Sequence, residues 1–492
     1  MRSVTFYSVT FSYRALTPEQ LATTTADQET TSFEPVPIPE DAEISTFGSD
    51  AMITLRSKWQ PPGCDTPFPA GALLTAPMSE VMQNKWSNVQ ALFQPSSSKS
   101  LESTTTTKDY VVLGVLEDVR KTLVVWKNDG PGTWSLMPSS DDAVSVGEDV
   151  GVANVNRDCS FDNSLFLWRD GYLKPNTLEL VTDVGADLNG EPLKAIPDMF
   201  DAKGLCVDQH FCTSKDGTRI PYFVMRRKDM VFDGNNPTLQ DAYGGFEISM
   251  TPGYSAAVGA AWLEAGGVKV IANIRGGGEY GPTWHQAALK EKRYKCYEDM
   301  EAVAQDLINR KITSPSKLAC IGGSNGGLMV GNLITRPLSS KLFGAAVCQV
   351  PLLDMKVYSH MLAGASWMAE YGDPDKPEEW EYLRRHSPYH LLRHDNLGLP
   401  EAGSSEKTAG NAEWQCPKVL FTTSTRDDRV HPGHARKMVR ALLEEAQPIG
   451  KAETVHYWEN TEGSHGGAAD NKQRAHMWAL TYSFLKQMLE LD

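Results

Sequence analysis

Three short segments of this 492-residue sequence carry residue types that can cooperate in nucleophilic hydrolysis. The first is Gly322-Gly323-Ser324-Asn325-Gly326-Gly327, which follows the apolar stretch KLACI and precedes LMVGNLI. A serine at G-x-S-x-G spacing between a strand and a helix sits on a crowded turn that needs glycine around it. Its hydroxyl then stands exposed above the sheet edge, beside a backbone N–H and a helix N-terminus suited to an oxyanion. A serine hydroxyl is a weak nucleophile until a base and an orienting acid serve it. The stretch KVLFTTS ends near Asp427 and Asp428, 103 residues after Ser324 for the first of the pair. His465 lies 38 residues further on, in Gly463-Ser464-His465-Gly466-Gly467. The order serine, acid, histidine, each after a strand, collects all three at strand C-terminal ends. The glycine-flanked His465 reads as the base. His434 reads as part of the following helix, and neither it nor His431 is assigned that role. The residues alone do not separate Asp427 from Asp428.

The elements that must position these residues alternate. Strand-like 268–274 (VKVIANI) is followed by a Gly-rich turn and a helical stretch around 297–309. Further strands are expected at 318–321, 345–350, 419–423 and 454–458, with helices after Ser324, from Gly433 to about Ala446 and from about Asn471. Such alternation predicts a mostly parallel sheet with helices on both faces, an α/β domain over 201–492. Residues 1–200 read as β-rich, with short runs such as 110–116 (YVVLGVL), 122–126 (TLVVW) and 164–168 (SLFLW) separated by turn residues. A sandwich, barrel or propeller fits that spacing, and no clean internal repeat chooses among them. The tract 95–107 (PSSSKSLESTTTT) is low in complexity and is expected to be an exposed loop.

Composition narrows the function classes. Hydrophobic residues make up 41% and charged residues 22%, enough apolar content for sizeable cores. The net charge of −15 argues against nucleic-acid or anionic-membrane binding. Residues 1–200 hold 14 basic and 27 acidic side chains, and residues 201–492 hold 33 and 35, consistent with two differently built halves. The most apolar stretch, 256–274, is interrupted by Glu264 and Lys269 and cannot span a bilayer. The N-terminus lacks a continuous apolar core and reads as a β-strand rather than a signal peptide. None of the eight cysteines forms a CxxC pair, which leaves zinc and thioredoxin-like sites unsupported and favours reduced thiols in the cytoplasm. No metal or cofactor is expected.

Five motifs occur in order: Tyr243-Gly244-Gly245-Phe246, Asn273-Ile274-Arg275-Gly276-Gly277-Gly278-Glu279-Tyr280-Gly281, the GGSNGG turn, Asp427-Asp428-Arg429-Val430 and Gly463-Ser464-His465-Gly466. Together they resemble the prolyl oligopeptidase family of serine peptidases over about residues 200–492. The resemblance implies an α/β-hydrolase catalytic domain under a seven-bladed β-propeller that restricts access to short peptides. It implies Ser324 as nucleophile, Asp427 as the acid and His465 as the base. A tyrosine hydroxyl, Tyr243, would join the Asn325 backbone N–H in holding the oxyanion. The segment from Gly364 to Gly372 resembles the lining of the pocket for the residue before the scissile bond. Trp367 and Tyr371, four apart on one helical face, would stack with Phe246 around a proline ring, and Arg429 would grip a substrate carbonyl. No acidic cluster is placed to neutralise a basic side chain there, so proline is the preferred residue.

The sequence departs from the family at its front. About 200 residues precede the catalytic domain, room for about four blades at about 45 residues each. The family's N-terminal segment that packs on the catalytic domain is not recognisable. A truncated chain or a shortened propeller would each leave a wider opening and weaker exclusion of long chains. Three readings follow: a serine oligopeptidase acting on short peptides, a small-ester hydrolase of the same fold, or an inactive peptide-binding relative. The oligomeric state is left open.

Overall fold

The computed structural model describes residues 2–3, 5–15, 33–138, 144–156, 161–336, 338–394, 418–446 and 452–491. Its largest element is an eight-stranded sheet. From edge to edge the strands are Leu205–Thr213, Arg219–Arg227, Val268–Ala272, Thr238–Asp241, Leu318–Gly323, Ala345–Gln349, Lys418–Ser424 and Val455–Asn460. Only Arg219–Arg227 runs against the others; the six strands from Val268–Ala272 onward are parallel. Three of these strands, Leu205–Thr213, Arg219–Arg227 and Thr238–Asp241, were not among those expected from the sequence.

Burial on both faces explains the continuous apolar runs, because alternate side chains serve opposite layers. Leu318 and Cys320 join a core formed with helices Tyr294–Asn309, Asn325–Thr335 and Gly433–Ala446. Ala319 and Ile321 face the other way, against Trp262, Tyr482 and Leu485, the last two from helix Asn471–Leu489. The same division holds for Ala346 and Cys348 against Ala345 and Val347. This is the α/β-hydrolase domain expected.

Among the described residues the preceding half contains three four-stranded antiparallel meanders, within 43–93, 99–136 and 148–195. That is one fewer than chain length alone allowed. The tract expected to be a loop is largely the strand Lys99–Thr106, an outer strand of the second meander. Its Ser/Thr run hides the strand, since hydroxyl side chains suit both a solvated edge and an extended backbone. Asp50 ties the first two meanders together. Its carboxylate, 1% exposed, accepts from the Gly132 N–H (2.9 Å), the Trp134 indole (3.0 Å) and the Asn128 amide (3.2 Å).

Polar contacts join the β-rich half to the α/β half. The Ser100 hydroxyl donates to the Glu279 carbonyl (2.7 Å), and the Tyr280 hydroxyl donates to Asp118 (2.7 Å), which also pairs with Arg219 (3.0 Å). Arg56 pairs with Glu247 at 2.8 Å. Among the described residues no helix is long and apolar enough to cross a membrane, and no group of three or more His, Cys, Asp and Glu is placed to hold a metal ion. Six described cysteines are free thiols; Cys159 and Cys416 lie outside the described residues.

Replacing Asp50 by Ala leaves the buried Trp134 indole and the half-buried Gly132 and Asn128 donors without their acceptor. The expected loss is about 3 kcal/mol, read as a lower urea midpoint for the β-rich half by tryptophan fluorescence. An unchanged midpoint would contradict the tie.

Candidate active site

Ser324 joins strand Leu318–Gly323 to helix Asn325–Thr335 with φ 58° and ψ −115°, a left-handed backbone that a serine adopts only at some cost in energy. Crowding explains part of the glycine pattern. A methyl group on Gly322 would sit 2.4 Å from the Gly326 carbonyl oxygen, and one on Gly327 would sit 2.7 Å from Pro351 Cβ. Gly323, by contrast, has room. The Ser324 N–H donates to the Gln349 carbonyl on the neighbouring strand (2.9 Å), which fixes the turn against the sheet.

Asp427 and His465 meet. His465 Nδ1 lies 2.8 Å from one Asp427 oxygen and 3.0 Å from the other. The oxygen at 3.0 Å also accepts from the Arg429 and Val430 N–H groups, both at 2.9 Å. A carboxylate held this way accepts the Nδ1 proton and leaves Nε2 unprotonated, the tautomer a base needs. It is Asp427 rather than Asp428 that takes this place. His434 is buried in helix Gly433–Ala446, where Nδ1 accepts the Asp354 N–H (3.1 Å), and burial lowers its pKa to about 4.

The other candidates converge on one cavity of about 460 Å³, lined by Tyr243, Phe246, Ser324, Asn325, Trp367, Tyr371 and Arg429, together with Phe6, Ile248, Leu352 and Val430. Tyr243 lines this cavity together with Ser324, and burial raises the pKa of its phenol, which keeps it a hydrogen donor. Trp367 and Tyr371 do not share one regular helix. Trp367 closes the 3₁₀ turn Gly364–Trp367, and Tyr371 ends the short helix Met368–Tyr371. Tyr371 forms the floor, its hydroxyl donating to Asn325 Oδ1 (2.8 Å), while the Asn325 amide donates to the Tyr243 carbonyl (2.7 Å). Asn325 therefore ties the serine turn to the tyrosine turn through its side chain as well as offering its N–H.

Sequence reasoning missed the ionic layer behind this cavity. Glu370 is fully buried; one oxygen takes the Arg293 guanidinium (2.7 Å) and the Phe246 N–H (3.1 Å). The other takes His285 Nε2 (2.7 Å) and the Tyr7 hydroxyl. Arg293 also donates to Asn325 Oδ1. An acid thus stands beside the pocket after all, but its charge is committed to these partners. Only the acid between Ala369 and Tyr371 in the pocket-lining segment hinted at it.

Residues 254–492 match the model of the prolyl oligopeptidase family. They belong to that family. Relatives include uncharacterised peptidases of Sinorhizobium fredii (40% identical over 458 residues) and Rickettsia prowazekii (33% over 466 residues). Each alignment takes in 92% of this chain and 58% of the relative. A post-proline cleaving enzyme from Rickettsia typhi superposes with a TM-score of 0.77 at 29% identity, over 94% of this chain and 62% of that one. The chain thus spans somewhat over half the length of these family relatives.

Glu279, in the family-like glycine motif, is buried behind the 244–250 loop. One carboxylate oxygen accepts from the Met250 N–H (2.9 Å) and the Asn273 amide (3.1 Å), and the other has no partner. Burial lifts its pKa to about 7 against the pull of those donors. A carboxyl raised in this way favours folding while protonated, and that contribution fades as pH rises from the ordinary glutamate range through about 7. Raising the pH from about 5 to about 8 should therefore destabilise the native chain more than the Glu279→Gln variant, by at most about 3 kcal/mol in urea titrations. Equal losses in the two proteins would refute this role.

Proposed function

We propose that the chain is a serine oligopeptidase that hydrolyses short peptides on the carboxyl side of proline. The observation that carries this reading is a left-handed serine turn that opens on an aromatic cavity, with Asp427 and His465 paired on the loops that follow two later strands of the same sheet. Ser324 attacks the scissile carbonyl as His465 Nε2 takes its proton, and Asp427 holds the imidazole and its developing charge. The oxyanion accepts from the Tyr243 hydroxyl and the Asn325 N–H. His465 returns the proton to the leaving amine, and water, activated by the same imidazole, then releases the acyl group.

In this reading Phe246, Trp367 and Tyr371 pack around the proline ring and Arg429 donates to a peptide carbonyl. The apolar lining and the commitment of Glu370 to its own partners leave nothing to favour a lysine or arginine in that pocket. The three antiparallel meanders of residues 1–200 stand as blades of a partial β-propeller beside the catalytic domain of 201–492. The free thiols favour a reducing compartment such as the cytoplasm.

A fluorophosphonate reagent should label the native chain and leave Ser324→Ala unlabelled. His465→Ala should lower kcat/KM on a Gly-Pro anilide by about a thousandfold or more. Absence of labelling on folded protein would overturn the assignment. Turnover of a short acyl ester with no cleavage of the anilide would favour an esterase, and peptide binding without turnover would favour a binding module.

A further inference from the structure

The segment that begins the chain enters the candidate site, although no motif in it announced a role. Tyr7 is the anchor. Its hydroxyl donates to Glu370 and lies 3.2 Å from His285 Nε2; its ring lies 4.3 Å beneath the Arg56 guanidinium and 4.9 Å from the His285 ring. The Glu370 carboxylate that holds Tyr7 through one oxygen holds the Phe246 backbone through the other. A local turn sets what comes before it. Thr5 N–H donates to the Ser8 carbonyl (3.1 Å), and Tyr7 N–H donates to the Thr5 hydroxyl (3.2 Å).

This leaves Phe6 projecting at the cavity mouth, 52% exposed, with its ring 5.6 Å from Phe246 and 4.9 Å from Tyr7, both edge-on. Phe246 in turn meets Tyr371 edge-on at 5.7 Å. An aromatic row therefore runs from the floor of the pocket to its rim, and Phe6 is its outermost ring. A half-exposed phenylalanine fixed on both sides has little rotamer freedom left to lose, so apolar contact made there is retained as binding. In an extended peptide, side chains on one face recur about every 7 Å. The side chain that shares a face with the pocketed residue and lies two positions upstream is placed to meet Phe6.

Resting on the peptidase reading above, we propose that Phe6 is a specificity-determining residue that selects peptides with an apolar side chain two positions before the pocketed proline. Tyr7 is the positioning residue that holds it there.

The test compares Phe-Gly-Pro anilide with Gly-Gly-Pro anilide on the full chain. The native protein should prefer the first, and Phe6→Ala should reduce that kcat/KM ratio by about fivefold or more. Phe6→Leu, which keeps an apolar wall, should retain part of the preference. Tyr7→Phe, which deletes only the hydroxyl, should lower the ratio without abolishing it. A ratio unchanged within about twofold in Phe6→Ala would overturn the proposal, whatever the absolute rates. Binding of the corresponding peptide amides, measured with Ser324→Ala in place of the native chain, separates the two claims. No hydrolysis by the native protein, with a binding preference that depends on Phe6, defeats the peptidase reading and leaves this one standing. Hydrolysis with no such preference does the reverse, and absence of binding overturns the Phe6 proposal.

Discussion

The buried carboxylate of Glu370 is the interaction on which the arrangement around the cavity depends. Burial alone would drive its pKa up, yet His285, Arg293 and Tyr7 outweigh that and hold it below the ordinary glutamate range. An anion so far from water must have donors on every side, and an unpaired one would cost several kcal/mol. Those donors come from distant parts of the chain. Arg293 leads into the helix that packs under the sheet, His285 belongs to the short helix Pro282–Gln286, Phe246 lends its backbone, and Tyr7 arrives from the N-terminal segment. Each is fixed because the charge requires it, and each then fixes a cavity wall.

The sheet supplies the second constraint. Neighbouring strands lie about 4.8 Å apart, so the Leu318–Gly323 strand and the Val455–Asn460 strand, three places away, are separated by about 14 Å. The loops after Lys418–Ser424 and Val455–Asn460 must therefore lean back toward Ser324. Asn460 helps hold the second of these: its amide donates to the Gly467 carbonyl (3.1 Å), and its oxygen accepts the Gly463 N–H (3.2 Å) on the two sides of His465. The parallel order also places Thr238–Asp241 directly beside the serine strand, which brings Tyr243 into the same cavity as Ser324.

Much of this was legible because it is local. Glycines around Ser324 and His465, a strand before each loop and the order of serine, acid and histidine are features of a few consecutive residues. Asp427 could not be told from Asp428 by residue type, since the difference lies in which one the 429 and 430 N–H groups and His465 surround. The tract 95–107 misled because Ser and Thr do not reveal which face of an outer strand is buried. Phe6, Tyr7 and Glu370 gave almost no signal, because their partners lie up to 363 positions away and no periodicity encodes such a pairing. Arg56 was silent for the same reason: its partners His285 and Glu247 lie in the other half of the chain.

The sharing of one buried anion between the N-terminal segment and the α/β half also limits how this architecture can be recombined. An α/β half carrying Glu370, grafted behind a foreign N-terminal half, would inherit a charge whose Tyr7 hydroxyl donor, and a His285 whose Arg56 hydrogen-bond partner, had been left behind. Conversely, a front half transplanted onto another α/β domain would bring a phenol and a guanidinium with no acid to receive them. Crossovers that respect the boundary between the sheets would thus still sever the network, and viable chimaeras need the four side chains Tyr7, Arg56, His285 and Glu370 to travel together.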